Sequence, residues 1–499
     1  MSDPDFLDIK YDRDTLKARS ARGAAATLVG QGIKFVLRFG STIVLARLLA
    51  PAEFGVMAMV APIVAFMGAV NEGGFAQAIV QRQNLRSEEV SALFWINLAI
   101  SVALALLLLA GAPLAGLAYR EPEAPRVLAA MSALLVLDTL ALIPRAILSR
   151  QMRFVAQTSI ELASIALSVA ITIVAAWWGL SYWSLVVGQL CGSLSWAVLA
   201  FVVAGWRPSR PARVAGVGEL ARFGANLTGV NLATFFSTTA DNIIIGAAAG
   251  KAALGLYDRS YNLVVQPLAQ LTAPLSRVAL PLLSRVREDP ALYRRTYAQM
   301  LKLTLLLTAP AMVFCVVLAR PLILFLWGER WAPAVPIFAW ICVGGLVAPM
   351  FTTNAWLFTS EGRTSRQLAL AVATSLISIA SFGVGILWGA VGVARTNALT
   401  FTLIQTPLMM WAATSGGLVK PSDVLGAIAP LCAAGVVAAA VLLLLAPHLS
   451  GWWLIPALGV GYAVFGATVL LLPGGRALLQ TTWRLAGSLR GRKPAVAAS

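Results

Sequence analysis

The chain has 499 residues, of which 59% are hydrophobic and only 12% charged, and a formal net charge of +17. Its mean hydropathy of +0.81 describes a protein whose solvent is mostly lipid, which excludes a water-soluble enzyme as the main body. The basic excess would suggest nucleic acid in a soluble chain, but here the charges fall between long apolar runs, so no nucleic acid partner is expected.

The first 23 residues pass from acidic to basic without a cleavage pattern and are expected to be a retained cytoplasmic tail. Apolar windows of about 20 residues, the length that crosses a bilayer core, then predict helices near 24–46, 53–72, 90–112, 126–146, 158–178 and 183–204. A basic segment at 205–221 follows. The next set is predicted near 222–246, 256–280, 302–326, 333–358, 367–388 and 390–412, and a last pair near 424–446 and 452–472. The fold class is therefore an all-α polytopic membrane protein of about 14 transmembrane helices. Its expected domains are an N-lobe at 24–204, an inter-lobe loop at 205–221, a C-lobe at 222–412, two extra helices within 413–472 and a cytoplasmic tail at 473–499. No connection has room for a soluble catalytic domain, and no nucleophile and base pairing is visible, so the chain is not expected to be an enzyme.

With both termini inside, the cytoplasmic segments hold 27 of the 38 Lys and Arg residues, from the N-terminal tail to Arg476–Lys493. That bias recurs in successive loops, so both ends are expected in the cytoplasm. Cys191, Cys315, Cys342 and Cys432 lie in separate spans and the one histidine, His448, lies in an outer loop, so no disulfide framework or metal site is expected.

The sequence also repeats. At a shift of 200 residues, IVLARLLAPAEFGVMAMVAPIV from Ile43 lies against IIIGAAAGKAALGLYDRSYNLV from Ile243, with Gly55 on Gly255. At a shift of 210, WWGLSYWSL from Trp177 matches LWGAVGVAR from Leu387. Duplication predicts two six-helix lobes with a central cavity, the arrangement that permits alternating access.

Which side chains would line that cavity follows from their spacing. On the first helix Thr27, Gln31, Lys34, Arg38 and Ser41 recur every three or four residues and form one polar stripe. Lys34 lies about ten residues, roughly 15 Å, inside the helix. An unpaired cation at that depth costs on the order of 3 kcal/mol, so Arg38 above all is expected to face a water- or anion-filled interior. Asn226, Asn231, Arg259, Gln266, Gln270, Arg277 and Arg395 are expected to join them. Asp138, Asp241 and Glu72 are the candidate ion-coupling acids, of which Asp138 is the deepest and reads first as a partner for one of the arginines, and Asp258 beside Arg259 reads as a local ion pair. A basic, amide-lined interior suits an anionic substrate, since guanidinium groups bind phosphate by paired hydrogen bonds.

The runs LARLLAPAEFGVMAMV, GFAQAIVQRQNLRSEEVSALFWINL and ADNIIIGAAAGKAALGLYDRSYNLVVQPLAQLTAPLSRVALPLLSRV strongly resemble the polysaccharide transporter family. These are Wzx-type flippases of lipid-linked oligosaccharides in the multidrug/oligosaccharidyl-lipid/polysaccharide exporter superfamily. The resemblance covers roughly residues 20–410; the family's early first-helix tryptophan is replaced by RGAAATLVGQ. It implies two six-helix lobes, often two extra helices, and a cationic cavity that carries undecaprenyl-pyrophosphate-linked glycan from the cytoplasmic to the periplasmic leaflet for surface polysaccharide export. It implies no cofactor and names no coupling ion, H+ and Na+ being the candidates, with membrane lipids and other polysaccharide assembly proteins as partners. The alternatives are a drug or cation exporter of the same superfamily, which should present carboxylates instead of arginines, and a membrane-embedded glycan polymerase or ligase, which should carry a long outer loop.

Overall fold

A computed structural model describes residues 13–72, 79, 87–210 and 217–472, with side chains at 23, 26–71, 79, 87–210 and 239–472. Among these residues the chain is helices joined by short turns, with no strand. Lipid dictates that choice, because a helix satisfies its own backbone polar groups where no water can.

In chain order the helices are α1 (Arg13–Leu48), α2 (Pro51–Glu72), α3 (Ser87–Tyr119), α4 (Ala124–Arg150), α5 (Phe154–Trp177) and α6 (Trp183–Ala204). There follow α7 (Val217–Arg285), α8 (Pro290–Val317), the short α9 (Ala319–Trp327), α10 (Ala334–Ser360), α11 (Thr364–Gly385), α12 (Gly389–Thr400), α13 (Thr406–Thr414), α14 (Pro421–Leu445) and α15 (Leu454–Leu471). Between α12 and α13 one π-helical turn, Phe401–Gln405, keeps the two in line.

Among the described residues 11 segments are long and apolar enough to cross a membrane. One of them, Thr364–Thr414, contains both spans expected at 367–388 and 390–412. α7 is not among the eleven, and it holds the spans expected at 222–246 and 256–280. Its 69 residues are two helices end to end, because Gly250 sits at φ 79 and ψ 177, outside the helical region and open chiefly to glycine. Among the described residues the eleven segments thus hold twelve of the expected fourteen spans, and the other two rest on α7.

The chain divides into two compact units, Met1–Gly255 and Leu256–Ser499. That boundary lies inside α7, where the first turn after Gly250 packs on the start of α2. A Cβ added at Gly55 would fall on the carbonyl oxygen of Lys251, and one added at Gly255 would fall on the carbonyl oxygen of Pro51. The contact is reciprocal at the 200-residue shift: residue 51 meets 255 as 251 meets 55. Lys251 then reaches from the break to the α3–α4 turn, with Nζ 2.9 Å from Glu121 Oε1 and 2.8 Å from Glu123 Oε2. Hydrogen bonding to Glu123, reinforced by Glu121, raises Lys251 above the usual amine value.

The second marker of duplication also has a structural counterpart. Gly179, after α5, and Gly389, opening α12, both adopt positive φ, 83° and 69°, at helix-to-helix turns 210 residues apart. In the first unit the core gathers Ile79, Leu93, Phe94, Ile143, Ile147, Ile160 and Trp206. In the second it gathers Tyr293, Tyr297, Phe358, Met409, Leu431 and Phe465, where the buried Tyr297 hydroxyl donates to Asn354 Oδ1 at 2.7 Å.

Candidate functional site

The polar stripe of α1 lies against α5. Gly23 faces the Phe154 ring and Gly30 faces the Thr158 methyl, with no room for a Cβ at either place, so the helices meet closely and run in the same direction. One turn further along both, Lys34 Nζ lies 2.8 Å from Glu161 Oε1. The lysine side chain is 11% exposed and the glutamate 31%, so the carboxylate is the more open half of the pair.

Glu161 is the acid that the sequence reading overlooked. It stands seven residues into α5, within a candidate span, and the rule that singled out Lys34 applies to it equally: a charge inside an apolar run needs a partner or water. A lysine inserted beside a carboxylate avoids most of the cost of a lone buried cation. The pair therefore accounts for Lys34 at that depth.

Arg38 differs. Its side chain is exposed and pairs with no carboxylate among the described residues, while its carbonyl accepts the Ser41 and Thr42 hydroxyls at 2.8 and 2.9 Å. Gln31, on the same stripe, is half-buried. The stripe thus presents two cations and an amide on one face, with a single carboxylate against them.

The other expected residues stand on other helices. Asp138 is exposed on α4, beside Thr139, whose hydroxyl accepts Asn71 Nδ2 at 2.6 Å. Asp241 is buried and its Oδ1 accepts the Asn242 backbone N–H at 2.9 Å. The side chains of Glu72, Asn226 and Asn231 lie outside the described residues. In the second unit Arg259 is held by its neighbour Asp258, with Nη2 2.6 Å from Oδ2, as the local ion pair read from the sequence. Gln266, Gln270 and Arg277 are exposed along α7, and Arg395 on α12 lies over the Trp388 ring at 5.5 Å from its centroid. Of the eight expected substrate residues, the geometry brings Gln31, Lys34 and Arg38 together on one helix face.

Comparison with known proteins follows the same outline. The chain resembles the succinoglycan biosynthesis transport protein ExoT of Rhizobium meliloti (strain 1021), with 28% identity over 476 residues, covering 93% of this chain and 94% of that one. It also resembles the lipopolysaccharide biosynthesis protein WzxC of Escherichia coli (strain K12), at 22% identity over 398 residues, 78% of this chain and 79% of the relative. Among solved structures, the lipid II flippase MurJ in an inward closed conformation superposes with a TM-score of 0.70 at 15% identity, over 88% of this chain and 97% of that one. An inward-facing multidrug resistance MATE family transporter of the MOP superfamily gives 0.60 at 13% identity, over 76% and 93%. These two likenesses establish a shared fold. The family model for polysaccharide biosynthesis proteins matches residues 44–336, more than half of the sequence, and the chain belongs to that family.

Proposed function

We propose that the protein is a flippase that moves a polyprenyl-pyrophosphate-linked oligosaccharide from the cytoplasmic to the outer leaflet of a bacterial inner membrane, for assembly of a surface polysaccharide. The observation that carries this reading is the end-to-end similarity to a transport protein of polysaccharide biosynthesis, 93% of one chain against 94% of the other. The α1 stripe gives it chemistry. Lys34 and Arg38 supply point-charge and forked donors for the pyrophosphate, and Gln31 supplies an amide for the same head group. Arg259, Gln266, Arg277, Arg395 and Asn231 are secondary candidates, and Glu72, Asp138 and Asp241 are the acids through which H+ or Na+ would couple. The charge bias of the loops supports cytoplasmic termini. A drug exporter on the same fold would need carboxylates toward its cationic substrate, whereas α1 offers cations.

The test is reconstitution in proteoliposomes with a fluorescent short-chain polyprenyl-pyrophosphate sugar, its outer-leaflet pool bleached by an impermeant reductant. Wild-type protein should speed loss of the protected pool, and Arg38→Glu should abolish that gain at normal protein level. Equal rates with and without wild-type protein, or full activity in Arg38→Glu, would overturn the reading.

A further inference from the structure

We infer that Glu161 is the resting counter-ion of the substrate site: its carboxylate holds Lys34 when the site is empty, and a phosphate of the substrate displaces it. This rests on the proposed function and assigns a residue that the family resemblance does not supply. Four features of the pair point there. Glu161 meets only one of the two cations, since its bond is to Lys34 and Arg38, one turn on, pairs with no described carboxylate. Two cations against one carboxylate leave the stripe with a positive charge to be met from outside. The pair is also layered, with the lysine the less exposed partner and the glutamate the more exposed, so an entering anion meets the carboxylate first. An ammonium has three donors, and the 2.8 Å bond to Oε1 uses one of them. Finally, the close packing at Gly30 against Thr158 fixes the two backbones, so displacement needs only a rotamer change at Glu161.

A pyrophosphate carries more charge than a carboxylate and can span ligands one helical turn, roughly 5.4 Å, apart. It can therefore hold Lys34 and Arg38 at once, which Glu161 does not. In this arrangement the glutamate protects an otherwise stranded lysine and competes with weak anions, so only a ligand that engages both cations displaces it.

The experiment is a titration of the purified full-length protein in nanodiscs with farnesyl pyrophosphate, in wild type, Glu161→Gln, Lys34→Gln and the double variant, with inorganic pyrophosphate in a parallel series. Removing the competitor in Glu161→Gln should tighten farnesyl pyrophosphate roughly 10-fold, and Lys34→Gln should weaken it roughly 10-fold or more, in keeping with one charge-assisted bond. The gain from Glu161→Gln should vanish in the Lys34→Gln background, since the two act through one contact. Should Glu161→Gln fail to accumulate, Glu161→Asp, which keeps the charge but withdraws it by one methylene, should show a smaller gain of the same sign. An equal response to inorganic pyrophosphate identifies the displacing group as phosphate alone, and a response confined to the farnesyl form identifies the lipid head group; both support displacement. Unchanged or weaker binding in a folded Glu161 variant, with wild type binding normally, overturns the inference and leaves the proposed function standing. Binding by neither wild type nor any variant overturns both.

Discussion

The α4–α5 turn and the α10–α11 turn are the same device built twice, with no carboxylate against Arg153 among the described residues and with Glu361 against Arg363. Arg153 and Arg363, 210 residues apart, each stand one residue before a helix. Arg153 donates to the Val203 carbonyl at 2.9 Å and Arg363 to the Ala413 carbonyl at 2.5 Å, and these acceptors are also 210 apart. Even the small bond beside them recurs: Ser149 donates to Gln157 at 3.2 Å and Thr359 to Gln367 at 3.3 Å. In each case a guanidinium satisfies a carbonyl left free at the end of another helix.

Around this shared contact the two regions diverge. Beside Arg153 stands Gln151, and the segment after α6 is tied down by neutral donors, Trp95 Nε1 to the Ser209 carbonyl at 2.8 Å and Ser209 N to Ser91 Oγ at 3.1 Å. Beside Arg363 stands Glu361, buried, with Oε2 2.7 Å from Arg363 Nη2 and Oε1 accepting Leu418 N at 3.3 Å. Arg366 and Arg294 complete the ionic version by donating to the Ser415 and Leu418 carbonyls, each at 2.6 Å. The helix-end contact is the invariant requirement. What the charges add is dependence, because each ionic partner is costly to leave alone.

The largest expected effect follows from that dependence. Arg363→Ala strands the Glu361 carboxylate, whose side chain is only 5% exposed, and should cost about 3–5 kcal/mol, seen as a fall in membrane abundance and melting temperature. Arg153→Ala removes one neutral-acceptor bond from an exposed arginine and should cost about 1 kcal/mol. Equal losses would show that the ionic version adds nothing. The next effect is smaller. Glu361→Gln converts the second turn to the composition of the first, keeps an acceptor for Leu418 N, and should cost about 1–2 kcal/mol by weakening the arginine bonds. Combining it with Arg363→Ala should cost less than the sum of the two, since no charge is then stranded.

How much of this was legible depended on what the eye was given to count. Apolar runs marked the helices, and the 3–4 spacing of Gln31, Lys34 and Arg38 marked the one face that holds together as a site. The glycine markers at 55/255 and 179/389 were visible because glycine is required there by close approach or by backbone sign. The stretches 148–157 and 358–367 were not, because only Arg153/Arg363 and Gln157/Gln367 are identical while the shared bonds run mostly through backbone. Glu161 was missed because depth was judged along each helix separately, and its meaning comes from α1 alongside. The break at Gly250 was legible too, since it falls between the spans expected at 222–246 and 256–280.

The smallest expected effect tests the comparison at its least conspicuous point. Met152 and Gly362 are the matching turn residues, and both have positive φ, 52° and 74°. Their backbone bonds match as well, with Met152 N donating to the Ser149 carbonyl at 3.0 Å and Gly362 N to the Thr359 carbonyl at 3.3 Å. Left-handed geometry costs a non-glycine residue roughly 1–2 kcal/mol, so the first turn carries a strain that the second avoids. Met152→Gly should relieve it, but glycine also loses more freedom on folding, roughly 0.5–1 kcal/mol, so the net gain should be about 0.5 kcal/mol. Gly362→Met should lose a similar amount, since a Cβ there approaches only Arg287 Nη1, at 3.9 Å, and strain is the only strong penalty. Opposite shifts in melting temperature would show that the two turns hold the same backbone by necessity. A loss from Met152→Gly would instead mean that the half-buried methionine side chain contributes more by packing than its backbone costs.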